Sequence, residues 1–183
     1  QVLGGAIVGI YPDSHLDQVE YIINHSDSVF VVAGDQEQAD KVLELKSACP
    51  KVIKVVVDDP KGMRHYDDPI LAYFKDIQKQ GRRLAQKQPH LFNEMITAVT
   101  PDDVGMINYT SGTTANPKGV VYSHRTTFVH SLASRATDTF GISEHDRILL
   151  LPPMFHANSW GLPYSGWFSG SDFILPGPHL QPE

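Results

Sequence analysis

The prediction of the fold starts from residues 109–125, YTSGTTANPKGVVYSHR. In this stretch a polar loop lies between two apolar runs. The run before the loop is VGMINYT at 104–110, and the run after it is KGVVYS at 118–123. Both contain the β-branched and aromatic residues that favour strands. We therefore predict that the loop is a turn between two β-strands.

The loop TSGTTANPKG, residues 110–119, gathers groups that bind phosphate oxygens. Glycines let the backbone turn tightly and approach a ligand, and hydroxyls with backbone N–H groups donate hydrogen bonds. Lys118 adds a positive charge, while Pro117 stiffens the approach to it. Donors gathered on a short loop after a strand form a concave anion site, so we predict a polyphosphate ligand. The residues assigned to this site are Thr110, Ser111, Gly112, Thr113, Thr114, Lys118 and Gly119.

The loop has two other possible interpretations. In the P-loop of NTPases the lysine is followed by serine or threonine and then by a helix. Here GVVYS follows Lys118 and predicts a strand, so the loop is of another kind. A Ser/Thr/Gly-rich hairpin without any ligand is the plainer alternative.

Further β-rich runs along the chain predict more strands, several of them nearly all apolar. Continuous apolar runs are typical of parallel strands that helices cover on both faces. The runs lie at 5–12, 28–34, 51–59, 147–153 and 172–177.

Three helical patterns lie among these runs. The first starts at Ser14, with Asp13 or Ser14 as its cap and Leu16, Val19, Ile22 and Ile23 on one side. The second covers 35–49, with Ala39, Val42, Leu43 and Leu45 towards a core. The third runs from about 125 to 140, with Phe128, Leu132, Ala136 and Phe140 at i, i+4 steps. Strands alternating with helices predict an α/β fold with largely parallel sheets flanked by helices.

Composition narrows the function further. The net charge of −6 disfavours a nucleic-acid partner, because phosphate neutralisation needs clustered lysine and arginine. Cys49 is the single cysteine, so an intrachain disulfide is excluded. No apolar run approaches the roughly 20 residues that span a bilayer. We therefore expect a cytoplasmic protein. The polar segment 60–100 is expected to form surface helices joined by turns.

Two stretches resemble signatures of one family. The loop TSGTTANPKG resembles the phosphate loop of the adenylate-forming (AMP-binding) superfamily, and LPPMFHANSWGLPY, at 151–164, resembles its next signature in the form found in the fatty-acid branch. The stretches GGAIVGIYP and VTPDDVGMINYTSGTT are also similar to acyl-CoA synthetases. The family usually has glycine where this chain has Ala115.

The resemblance implies that residues 1–183 are one fragment of the large N-terminal domain of an acyl-CoA synthetase. Residues 1–100 would form an α/β portion, and 101–183 would carry the phosphate loop and the acyl pocket. The start of the domain and the C-terminal domain would be missing, so the fragment alone is expected to be inactive. The parent enzyme would use ATP and Mg²⁺ to convert a medium- or long-chain fatty acid to acyl-AMP, and would then transfer the acyl group to coenzyme A.

The same resemblance assigns roles to individual residues. Lys118 and the hydroxyl loop would hold the β- and γ-phosphates, and Thr110 would also reach the metal. His156 would lie near the carboxylate and act in catalysis, and Trp160 would line the alkyl tunnel. Alternatively, both side chains simply pack in a core.

Several alternatives stay open at this stage. Within the family, the parent could be an aryl- or amino-acid-activating enzyme. Outside it, the chain could be a non-catalytic nucleotide-binding module. Chain length and acceptor thiol are not determined by the sequence, which also leaves open a homodimer and a peripheral membrane contact.

Overall fold

The computed structural model of the chain describes residues 1–110, 116–154 and 157–177. The strands in this part are β1 (Ile7–Val8), β2 (Phe30–Ala33), β3 (Lys54–Val57), β4 (Leu71–Tyr73), β5 (Val104–Thr110), β6 (Lys118–Ser123), β7 (Arg147–Leu149) and β8 (Asp172–Ile174). The helices are α1 (Leu16–His25), α2 (Gln36–Glu44), α3 (Phe74–Lys87), α4 (Leu91–Ala98), α5 (His124–Ser134) and α6 (Leu162–Ser169).

The strands form three small sheets, with orders β1-β5-β6, β2-β3-β4 and β7-β8. The pairs β1–β5, β2–β3, β3–β4 and β7–β8 are parallel. The prediction of an α/β fold with largely parallel sheets is therefore confirmed. β5 and β6, the strands on either side of the polar loop, match their predicted bounds residue for residue and are neighbours in their sheet.

The chain divides into two compact units. The first unit comprises Gln1–Tyr11, Val99–Asn108 and Gly119–Glu183, and the second comprises Pro12–Ala98 and Tyr109–Lys118. The division therefore passes through β5 after Asn108 and through β6 after Lys118. The second unit holds β2, β3 and β4 with the first four helices, and most of β5 and β6 belongs to the first.

The core of the second unit lies where α2 packs on β2 and β3 and α1 packs on α2. Val55 and Val57 on β3 are fully buried, as is Ala39 on α2. The predicted apolar side of α1 is buried at Val19, Ile22 and Ile23. The spacing of these residues at three and four positions places them on one side of a helix, so they pack together in the core.

The helix α1 begins two residues later than predicted, and a backbone hydrogen bond closes its C-terminal end. Neither Asp13 nor Ser14 caps the helix: His15 is the N-cap residue and no described side chain caps it. The carbonyl of His15 accepts the first helical hydrogen bonds, so the helix begins after it. At the other end Asp27 adopts a left-handed φ of 54°, and Ser28 donates its N–H back to the carbonyl of Ile23 at 3.0 Å, which closes the helix.

The helix α2 starts at a capping aspartate. The side chain of Asp35 accepts a hydrogen bond from the N–H of Gln38 at 3.0 Å, which satisfies one of the unpaired donors of the first turn. The helix ends at Glu44, earlier than the predicted range of 35–49, although Leu45 and Cys49 after it are still buried.

Other element bounds were predicted wrongly. β1, β7 and β8 are shorter than the apolar runs that predicted them, and β4 lies in the segment for which only helices and turns were predicted. The β2 residues Phe30 and Val32 are exposed at 58% and 68%. The strands are therefore not all covered on both faces within the described part of the chain.

The predicted helix from about 125 to 140 is α5, which ends at Ser134. The hydroxyl of Ser123 accepts from the N–H of Thr126 at its start. At its end the hydroxyl of Thr139 donates to the carbonyl oxygens of Ala133 and Ala136, so the chain turns instead of continuing as a helix. The residues that α5 buries are Ser131 and Ser134, not the predicted apolar ones.

In the first unit, α6 packs across the sheet of β7 and β8 at a glycine. A Cβ built at Gly166 would lie 2.4 Å from Cζ of Phe173 and 2.8 Å from Cδ1 of Ile148. Both distances are shorter than any normal contact, and both partners are set in short parallel strands. Only glycine therefore permits this approach of helix and sheet.

We expect Gly166→Ala to destabilise the full-length protein by about 1–3 kcal/mol, because the added methyl group forces β7 and β8 away from the helix. Gly81→Ala is the matched control. Gly81 lies inside α3 with nothing within 4 Å of an added Cβ, so this change should stabilise the protein by about 0.5–1 kcal/mol. Urea unfolding of both variants measures the difference, and equal effects would contradict the packing argument.

Candidate active site

The strand β5 delivers the chain to the polar loop and β6 leads away from it. Thr110 is the last residue of β5 and its side chain is exposed. Lys118 is the first residue of β6, is also exposed, and makes no ion pair with any described residue. Gly119 follows it in the strand. The ammonium group of Lys118 is therefore not engaged by another described charge.

Five of the residues assigned from the sequence lie outside the described residues. These are Ser111, Gly112, Thr113, Thr114 and His156, and Ala115 lies outside them as well. The roles given to these residues stay predictions. Of the assigned residues, the structure places Thr110, Lys118, Gly119 and Trp160.

The start of β5 is fastened to the start of α5 by a paired ionic contact. Arg125 donates from Nε to Oδ1 of Asp102 at 2.7 Å and from Nη2 to Oδ2 at 2.9 Å. The guanidinium holds the pKa of the Asp102 carboxyl below its usual value, chiefly through these hydrogen bonds. The N–H of Arg125 also donates to the carbonyl of Pro101 at 2.7 Å. β5 and the helix that follows β6 are thus joined at the end opposite the loop.

A cavity of about 380 Å³ lies within the first unit. Its wall includes large apolar and aromatic side chains from β5, β6, α6, the segment after α5 and the segment before α6. They are Met106, Tyr122, Phe140, Trp160 and Tyr164. Such a concave, largely apolar surface is typical of a pocket for a small organic molecule.

Polar groups interrupt this wall at defined positions. Asn108, close to the end of β5, accepts a hydrogen bond at 3.2 Å from the side-chain amide of Asn158. His130 on α5 donates from Nε2 to the main-chain carbonyl of Trp160 at 3.2 Å. All three side chains line the cavity. A few fixed polar groups in an apolar pocket orient a ligand that carries a polar end.

Trp160 reaches the cavity from a left-handed turn of the backbone. The turn lies at the end of the short segment Ala157–Trp160, where Asn158, Ser159 and Trp160 have φ values of 49°, 49° and 59°. Non-glycine residues rarely adopt this conformation. The hydroxyl of the fully buried Ser159 donates to the carbonyl of Pro152, which helps to hold the turn.

The glycine that follows this turn also limits the space around Trp160. Gly161 has a φ of 76°, and a Cβ built on it would lie 2.5 Å from Nε2 of His130. The carbonyl of Gly161 accepts from the N–H and the hydroxyl of Ser165, at 3.0 and 3.1 Å, in the first turn of α6. The backbone that carries Trp160 is therefore fixed from both sides.

Sequence patterns did not indicate Asn108, His130 or Asn158 as pocket residues. Their partners are far away along the chain, 30 positions for His130 and Trp160 and 50 positions for Asn108 and Asn158. Among the described residues no group of three or more His, Cys, Asp or Glu side chains could hold a metal ion. None of the helices in the described ranges is long and apolar enough to span a membrane.

Comparison with solved structures defines the class of fold. The chain superposes on the anthranilate CoA ligase AuaEII, solved in complex with anthranoyl-AMP, with a TM-score of 0.68 and 20% sequence identity. The superposition covers 94% of this chain and 30% of that one. This chain therefore has the fold of the matching part of that CoA ligase.

Sequence comparison then identifies the family. The chain belongs to the AMP-binding enzyme family, which it matches over residues 2–183. It is 36% identical over 178 residues to a medium-chain-fatty-acid–CoA ligase of Ectopseudomonas oleovorans, covering 94% of this chain and 30% of that protein. It is 34% identical over 183 residues to a 3-methylmercaptopropionyl-CoA ligase of Ruegeria lacuscaerulensis, covering 95% and 31%. The chain thus spans about a third of the length of these relatives.

Proposed function

We propose that the full-length protein is an AMP-forming acid–thiol ligase that activates a medium- or long-chain fatty acid. In the first step a carboxylate oxygen attacks the α-phosphorus of ATP, the bond from that phosphorus to the bridging oxygen breaks, and pyrophosphate leaves. In the second step the sulfur of coenzyme A attacks the acyl carbon and AMP leaves. This chain would supply the loop for the triphosphate and part of the acyl pocket.

The observation that carries this proposal is the exposed lysine at the exit of the loop. Lys118 begins β6 directly after TSGTTANP, and β6 lies beside the strand that leads into the loop. An ammonium group at this point can lie beside the leaving pyrophosphate and offset its growing negative charge. Positioning and charge stabilisation of this kind dominate reactions in which one anion attacks another.

Magnesium would be bound mainly through the triphosphate, because Mg²⁺ in such sites uses phosphate oxygens and few protein ligands. The exposed hydroxyl of Thr110 at the end of β5 fits the role of one oxygen ligand. When bound, the ion would neutralise charge on the phosphates.

The aromatic-lined cavity supports the choice of an acid with an alkyl chain. Its wall combines Met106, Phe140 and Trp160 with the polar groups of Asn108 and His130. The alkyl chain of the acid would lie against the three apolar side chains. Its polar end would lie near Asn108 and His130. The named activity of the Ectopseudomonas relative favours a fatty acid, and that of the Ruegeria relative favours a short thioether acid as the second candidate.

Acid-dependent exchange of pyrophosphate into ATP by the full-length protein tests the proposal. We expect exchange with fatty acids of about six to sixteen carbons to exceed exchange with 3-methylmercaptopropionate and anthranilate. Exchange only with the short thioether acid would favour the second candidate. Binding of ATP without exchange for any acid would instead support a non-catalytic nucleotide-binding module.

A further inference from the structure

A second tether acts on β5, at the end that leads into the phosphate loop. Tyr109 is the residue before Thr110, and its hydroxyl lies 2.7 Å from Nδ1 of His25, the last residue of α1. The two residues are 84 positions apart in the sequence and belong to the same compact unit. The contact therefore links a helix end to the base of the loop.

The two hydrogen-bonded residues and Tyr21 form a cluster of three aromatic rings. The ring of His25 stacks on that of Tyr21 with centroids 5.1 Å apart, one helical turn earlier on α1. The ring of Tyr109 meets both edge-on, at 5.8 Å from His25 and 6.4 Å from Tyr21. Burial raises the pKa of the Tyr109 hydroxyl, and the neighbouring Tyr21 adds to this effect. The hydroxyl is thus neutral and available for the hydrogen bond at physiological pH.

The helix that provides the tether is itself firmly held. Ile22 and Ile23 of α1 are buried in the core, and the side-chain amide of Asn24 donates to the carbonyl of Ala48 at 3.0 Å. The left-handed Asp27 ends the helix directly after His25 and Ser26. His25 therefore projects from a fixed point of the second unit.

The tethered part of β5 lies beyond its parallel register with β1. That register ends at the pair Val8 and Ile107, so Tyr109 and Thr110 extend past it. Successive side chains of a strand point to opposite faces. With Tyr109 held against α1, Thr110 presents its exposed hydroxyl on the other face of the strand.

We propose that His25 is a positioning residue for the phosphate loop, acting through the hydroxyl of Tyr109. This inference rests on the proposed function, in which the loop from Thr110 to Lys118 holds the triphosphate. Because Tyr109, the residue before the loop, is already held in place, less conformational entropy is lost when ATP binds. The tether should therefore strengthen binding of ATP and leave binding of the acid unchanged.

Calorimetric titration of the full-length protein with ATP tests the inference. Tyr109→Phe and His25→Leu should each weaken ATP binding about 2- to 10-fold, the range expected for one neutral hydrogen bond. The double variant should bind no more weakly than either single variant, because both remove the same contact. His25→Asn should restore most of the affinity, since its amide can donate or accept near the position of Nδ1. The KM for the acid should stay unchanged in all of them.

Tyr66→Phe is the matched control. Its hydroxyl donates to Asp40 at 2.7 Å and accepts from Gln36 at 2.8 Å in the same unit, and neither partner belongs to β5. This variant should lose stability without losing ATP affinity.

Three outcomes would overturn the inference. They are additive effects of the two single changes, an unchanged ATP affinity in Tyr109→Phe with a lowered Tm, and a failure of His25→Asn to bind better than His25→Leu. If the wild-type protein binds no ATP at all, the proposed function fails and this inference fails with it. If the wild-type protein binds ATP and the variants bind equally well, only the inference fails.

Discussion

Replacing Lys118 with alanine should reduce adenylate formation in the full-length protein by about 10- to 100-fold. On the proposed function, the change removes a charge-assisted contact to the phosphates, worth roughly 1.5–3 kcal/mol. Because Lys118 is exposed and has no ion pair with a described residue, its loss should not disturb the fold. Pyrophosphate exchange with a saturating acid measures the effect.

The control for this prediction is Lys87→Ala, which removes an exposed lysine from the end of α3. It should exchange pyrophosphate at the wild-type rate and unfold at nearly the same temperature as Lys118→Ala. An unchanged exchange rate in Lys118→Ala would refute the role of this lysine. A parallel loss in both variants would indicate a general effect of charge and not a contact with the phosphates.

The second large effect is expected at Trp160. Trp160→Ala removes an indole that lines the cavity and is 59% exposed, so the cavity proposed to bind the acyl chain becomes wider. A single methylene group in an apolar pocket changes discrimination by about 10- to 200-fold. We therefore expect the ratio of kcat/KM between a sixteen-carbon and an eight-carbon acid to change by about tenfold or more, with little change in the KM for ATP.

Trp167→Ala offers a close comparison. Trp167 lies on α6, is 84% exposed and is not among the residues that line the cavity. The Trp167→Ala change should leave the preference for the chain length of the acid unchanged. If Trp160→Ala weakened ATP binding and kept the same order of preferred acids, Trp160 would not belong to an acyl pocket.

The strands next to the loop could be predicted from sequence because their ends are marked by changes in residue type. The loop begins where apolar residues give way to hydroxyls, and this boundary coincides with the end of β5 at Thr110. The strand β4 has no such marker: Leu71–Tyr73 is three residues long and stands in a polar segment. Its pairing with β3 comes from the tertiary fold and not from local propensity.

The helix α5 illustrates a pattern that was misleading. Phe128 and Leu132 recur at helical spacing, yet both remain more than half exposed, while Ser131 and Ser134 are buried. The serine hydroxyls donate to carbonyls one turn earlier in the same helix, which lets them be buried without an outside partner. The amphipathic pattern therefore predicted a helix correctly and predicted its buried side wrongly.

Parts of the candidate site that depend on long-range contacts could not be predicted from the sequence. Nothing in the spacing of His25 and Tyr109, or of His130 and Trp160, indicates that these residues meet. Their contacts arise when a helix end is brought beside a strand, or a helix beside a turn. The loop and the motif around Trp160 were recognised because each is continuous in the sequence.

The left-handed backbone at 158–160 bears on any attempt to redesign the choice of acid. A library that varies position 160 freely would mix two effects, since isoleucine or valine in this conformation costs on the order of 1–2 kcal/mol more than glycine, whatever its fit to the proposed acyl pocket. Asparagine, aspartate and histidine are better tolerated there. Randomisation restricted to such residues and glycine would report on pocket volume with less interference from misfolded clones.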